Sequence, residues 1–179
     1  METIAVYWEP IIRTYGFQFR EGLVWHALRL PLDRVDDWSR GLQGLADPAA
    51  TFQLTWARLD PEASMTMSLV CEPVHWNRIR PIWIGNTACD GGGAAPETMV
   101  DLVWFHGPHF GDRYGIMDFT YQVLHRGQVP LLAAICSVAS IYLVLPAGQG
   151  AATRMLLAGA FEIPTAVNGP RQGASPVQG

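Results

Sequence analysis

The sequence predicts an α+β fold of two βαββαβ units in tandem, each an antiparallel sheet covered by helices on one face. Three observations carry this. Short apolar runs alternate or run unbroken as strands do, and between them apolar residues recur at spacings of three and four, as helices require. The order strand, helix, strand, strand, helix occurs in both halves of the 179 residues, which reads as a repeated supersecondary unit. Hydrophobic residues make up 49% of the chain and charged residues 16%. That composition supplies an ample core but leaves the surface short of charge against the roughly 25% usual in soluble domains.

In the first unit, residues 1–85, the runs Ile4–Trp8 and Ile11–Phe19 read as strands separated at Glu9-Pro10, and Leu23–Leu30 as a stronger strand. After Pro31, the residues Leu32, Val35, Trp38 and Leu42 fall on one helical face. Pro31 suits a helix start, and Asp33, Asp36 and Asp37 complement the positive end of the helix dipole, so these acids need no catalytic role. Thr51–Leu59 and Ser64–Cys71 alternate on either side of the turn Asp60-Pro61-Glu62-Ala63 and read as a hairpin. Val74–Ile84 is a helix with Trp76, Ile79 and Trp83 inward, which Pro81 ends or bends. Residues 86–98 are Gly-rich and read as a linker.

The second unit, residues 99–163, opens on the apolar run Met99–Phe105. A turn, His106-Gly107-Pro108-His109-Phe110-Gly111-Asp112-Arg113-Tyr114-Gly115, then feeds a helix from Ile116. Strands Val129–Cys136 and Ser140–Leu145, a helix Gly150–Gly159 and a closing strand Ala160–Ile163 complete a ferredoxin-like order. Residues 164–179 lack any apolar period and are expected to be disordered. Six of the seven tryptophans fall in the first unit, and aromatic enrichment with few charges predicts that some line an inter-unit or inter-subunit face.

Composition excludes several functions. All twelve basic residues are Arg and none is Lys, which removes a Walker-type lysine, a Schiff base and pyridoxal attachment. The net charge of −4 without an Arg cluster opposes a nucleic-acid role. No signal-like N-terminus and no run of about 18 apolar residues is present, so the expectation is a cytoplasmic protein without membrane partners. Cys71, Cys89 and Cys136 are an odd number without CxxC spacing, which argues against a disulfide framework and a zinc knuckle.

The strand Val100–Phe105, the turn ending Arg113-Tyr114-Gly115-Ile116, the helix end Val123-Leu124-His125-Arg126-Gly127 and the strand pair around Cys136–Pro146 together resemble an ACT domain. This is the small regulatory module attached to aspartokinases and other enzymes of amino-acid metabolism. The resemblance implies a regulatory protein that binds a small effector such as an amino acid, without a cofactor, pairs as a homodimer, and acts on an enzyme carried by another chain. It also implies that Gly115 is the helix-entry glycine, with Gly111 or Asp112 at the neighbouring turn position. The turn departs from the family pattern in its length and in its His and aromatic content.

The residues themselves point to the same turn. Gly107, Gly111 and Gly115 are positions where backbone freedom lets a ligand approach, Asp112 is a candidate N-cap, and Arg113 is a contact for a carboxylate or phosphate. His109 stands among them and completes the candidate ligand-binding set. His106 and His109 have donor types for a metal with Asp112 or Cys136, but no third ligand has diagnostic spacing, so no metal is assigned. His109 with Asp112 as an acid–base pair describes a small His-dependent enzyme, and an accessory subunit docking through apolar faces is the other alternative.

Overall fold

The computed structural model describes residues 12–45, 51–85, 96–108, 110–111 and 113–163. The strand expected at Ile4–Trp8, most of the Gly-rich linker and the expected disordered tail lie outside the described residues. The elements run β1 (Phe17–Pro31), α1 (Val35–Gly41), β2 (Phe52–Asp60), β3 (Ser64–Cys71), α2 (Pro73–Gly85), β4 (Thr98–His106), α3 (Ile116–Arg126), β5 (Ala133–Cys136), β6 (Ser140–Pro146) and α4 (Gly150–Ala160). Among the described residues no helix is long and apolar enough to cross a membrane.

Both halves build one six-stranded antiparallel sheet, ordered β2-β3-β1-β4-β6-β5. The two central strands serve both units. From the first unit, β4 lies beside β1 as its closing strand; from the second, β1 lies beside β4 in the same role. This explains why Ala160–Ile163 is not the closing strand that its sequence position suggests. The edge beside β4 is already filled by β1, so α4 continues to Ala160 and only Glu162 makes a parallel bridge, to Arg13 ahead of β1.

β1 was expected as two strands because its apolar pattern breaks near Glu21-Gly22. In the structure the break is a bulge. Arg20 faces Leu102 and Leu23 faces Val100, three steps on β1 against two on β4, with Gly22 at φ 68°. An extra residue shifts the alternation by one. Phe17 and Phe19 before the bulge, and Val24, Leu28 and Leu30 after it, therefore all face the helices.

Under α3 and α4 lie Phe17, Val103, Phe105, Leu124, Leu143, Leu145, Leu157 and Phe161. Under α1 and α2 lie Val24, Leu28, Leu30, Trp38, Leu69, Trp76, Ile79 and Trp83. Trp38, Trp76 and Trp83 are thus core residues, 2–4% exposed. Trp83 Nε1 donates to buried His26 Nδ1 at 3.0 Å, and the His26 ring stacks on Trp76. The helix-free face is also apolar: Leu23, Val70, Val100, Leu102 and Val144 are buried there, flanked by Trp25, Trp56, Trp104 and Tyr142.

Candidate functional site

The β4–α3 junction begins where the core forces a narrow passage. Val103 and Phe105 are fully buried, which fixes the end of β4. Gly107 follows, itself buried, with the Arg13 carbonyl and the Phe110 ring in the space that a Cβ would take. Only hydrogen fits there. Further on, Gly111 backs onto Val138 of the β5–β6 hairpin; a Cβ would stand 3.0 Å from Val138 Cγ1 and from its carbonyl oxygen. The turn is therefore pressed against both the chain ahead of β1 and the hairpin.

Gly115 is the N-cap of α3, at φ 83° and ψ 0°, with no side-chain cap. Nothing lies within 4 Å of where its Cβ would be, so its left-handed backbone, not crowding, demands glycine. The cap position is thus Gly115, and Asp112, the expected N-cap, lies outside the described residues. Glycine offers no side chain to the first N–H groups of α3, and among the described residues no side chain caps them at the positive end of the helix dipole.

A cavity of about 220 Å³ opens at this helix end. The turn supplies Phe110, Arg113, Tyr114 and Gly115, the helix Ile116 and Met117, and the facing hairpin Cys136, Ser137 and Ile141. Of the six expected ligand contacts, Arg113 and Gly115 line it, Gly107 and Gly111 shape its supports, and His109 and Asp112 lie outside the described residues. His106 sits apart, its ring 5.4 Å from Tyr15 and its carbonyl accepting the Tyr15 N–H. Among the described residues no three His, Cys, Asp or Glu side chains converge as metal ligands.

Among the described residues the lining carries a guanidinium and a helix N-terminus, and no carboxylate. Burial pushes the Cys136 thiol up from its ordinary range, so it stands as neutral thiol at neutral pH. These features favour a carboxylate or another small anion. Cys136 and Ser137 come from the hairpin more than twenty residues after the turn, and only the β5–β6 register brings them there. Tyr114 of the lining is 86% exposed, and Val138, which backs Gly111, is 83% exposed.

The fold has solved counterparts. The regulatory subunit of aspartate kinase from Thermus flavus superposes with a TM-score of 0.70 at 14% identity, over 83% of this chain and 99% of that one. The fold is that of the aspartate kinase regulatory subunits, the ACT type. The ligand-free regulatory subunit from Thermus thermophilus matches with a TM-score of 0.69 at 15% identity over 83% and 99% of the two chains. Aspartate kinase from Synechocystis gives 0.71 at 13% identity, over 87% of this chain and 28% of its own. No protein-family model matches the sequence, and no curated protein matches it significantly. At these identities the likeness establishes the ACT-type fold, and the activity has to be argued from the site.

Proposed function

We propose that this protein is a cytoplasmic, ACT-like regulatory protein that binds a small effector such as an amino acid in the cavity at the β4–α3 junction and acts on a partner enzyme. The observation that supports it is that Arg113 and the glycine-entered N-terminus of α3 line one cavity of about 220 Å³, in which no described residue is a carboxylate. A ligand carboxylate directed at the helix end gains charge-assisted hydrogen bonds from backbone N–H groups. The cavity lies below the roughly 300 Å³ at which drug-sized sites begin, in keeping with an amino acid. The aspartate kinase regulatory subunits share its fold, which supports a regulatory role. Exposed Tyr114 in the lining and exposed Val138 on the facing hairpin support a homodimer or a partner enzyme covering the site.

Calorimetric titration with the proteinogenic amino acids tests this, together with maleimide labelling of Cys136 in a chain whose Cys89 is replaced by Ser. Heat with one amino acid, protection of Cys136 by that compound and loss of both in Arg113→Ala are expected. No heat with any of them, with labelling of Cys136 unchanged throughout, would overturn the proposal.

A further inference from the structure

At the opposite end of the sheet, the register of three strands builds a second polar site. Arg58 of β2 and Arg29 of β1 both pair with Thr66 of β3, so one row across the helix-free face reads Arg58, Thr66, Arg29. The next row in the same direction places Asp60 opposite Ser64. These residues, with Pro61 and Glu62 of the hairpin turn, line a groove of about 350 Å³.

Two guanidiniums this close to one another call for an anion, and Asp60 supplies one. Its side chain is 12% exposed; it accepts the Thr66 hydroxyl at 2.7 Å and Arg58 Nε at 3.0 Å, with Arg29 Nε at 3.9 Å. The Thr66 hydrogen bond, aided by the two arginines, holds the Asp60 carboxyl below its ordinary range. Arg29 is further held by Ser64 Oγ at 3.0 Å and by the exposed Glu62 at 2.6 Å. Arg58 is different. Asp60 holds it through Nε, and its Nη1 and Nη2 groups, on a side chain 74% exposed, make no hydrogen bond among the described residues. The end of a guanidinium that matches a carboxylate in two parallel bonds is thus oriented by Asp60 and left open to the groove.

We propose that this groove is a binding site for a small monocarboxylate, seated on the Nη1 and Nη2 edge of Arg58, with Asp60 as the residue that positions the guanidinium. Asp60 and Glu62 select against more highly charged anions, because each added negative charge would face two fixed carboxylates. The site lies on the other face and at the other end of the sheet from the β4–α3 cavity, and it does not depend on the regulatory reading of that cavity.

The test is an NMR titration of the full chain with sodium acetate replacing chloride at constant ionic strength, since exposed pairs are screened by salt. Arg58 Nε–Hε and the Glu62 and Ala63 amides report on the groove; the Gly115 and Ile116 amides report separately on the β4–α3 cavity. A saturable shift of the first set is expected, weakened about tenfold, or about 1.4 kcal/mol, in both Arg58→Ala and Arg58→Lys. The Lys variant keeps the charge and loses the fork. Asp60→Asn should weaken it as well, and thermal unfolding in chloride checks that each variant is folded at the temperature of the titration. No saturable shift, an undiminished one in Arg58→Ala, or tighter binding of inorganic phosphate than of acetate would overturn the proposal.

Discussion

Replacing Asp101 by Ala should cost this protein about half of its stability. Asp101 is 1% exposed on β4, on the helix-covered face, and its two oxygens do separate work. Oδ1 accepts the Gly22 N–H at 3.1 Å, at the bulge that keeps both halves of β1 facing the helices. Oδ2 accepts the Gly150 N–H at 2.8 Å, at the first residue of α4. The fit is close: a Cβ on Gly150 would stand 3.2 Å from Oδ2 and 3.1 Å from the Phe19 ring. Hydrogen bonds to a charged group contribute about 1.5–3 kcal/mol each, so losing both costs about 3–6 kcal/mol against a total of about 5–15 for a domain. Asp101→Asn keeps one acceptor oxygen and turns an amide against the other donor, so its loss should be about 2–3 kcal/mol. Glu21→Gln is the control. The Glu21 contact to the Ala151 N–H is long, 3.4 Å, and exposed, and should change stability by no more than about 0.5 kcal/mol. Urea unfolding of the three variants measures this, and a loss below about 1 kcal/mol for Asp101→Ala would refute the role of the carboxylate as the tie between bulge and helix.

Other outcomes follow from single contacts. His26→Phe keeps a ring on Trp76 but removes the acceptor of Trp83 Nε1, and the orphaned indole N–H should cost about 1–3 kcal/mol in urea unfolding. Gly115→Ala meets no atom within 4 Å but forces an L-residue to φ 83°, so a loss of about 1–3 kcal/mol is expected despite the open space. Burial, with a smaller contribution from the Glu72 charge, pushes the Cys71 thiol up to about 11, so native Cys71 should resist maleimide at neutral pH. In the unfolded chain the thiol ionises near its ordinary value of about 8.5. Between these two values the unfolded state holds fewer protons than the native one, so stability should fall as pH rises through that window, and Cys71→Val should remove this slope.

Much of the fold is legible wherever a pattern is local. The β2–β3 hairpin reads from alternation on both sides of Asp60-Pro61-Glu62-Ala63, and α3 reads from Ile116, Thr120, Val123 and Leu124, all buried. What depends on distant pairing does not read. The bulge at Glu21-Gly22 looks like a strand break until β4 lies beside it, and the helix at Gly150–Ala160 swallows the start of an expected strand because β1 has taken the edge beside β4. The same division holds at the candidate site. Arg113 and Gly115 are visible as a Gly-rich junction before a helix, whereas Cys136 and Ser137 reach the cavity through the β5–β6 hairpin, a pairing that no residue in the turn announces.

The two units also offer an internal comparison, because each must pass from a central strand into a helix at opposite ends of the same sheet. The first unit does so at once: β1 ends at Pro31, a helical turn starts at Leu32, and the Leu32 N–H is satisfied by the Ala63 carbonyl at 3.0 Å. Pro31 has no N–H to place, so that junction closes with almost nothing left over. The second unit uses the nine residues from Gly107 to Gly115 between β4 and α3, fits two of its glycines against neighbouring chain, and enters the helix through a glycine that offers no side-chain cap. Longer connections cost more closure entropy, and the first unit demonstrates that this topology does not require one. The extra chain and its tight supports are therefore not required by the topology itself, and the ligand proposed for Arg113 and Gly115 would give both a common cause.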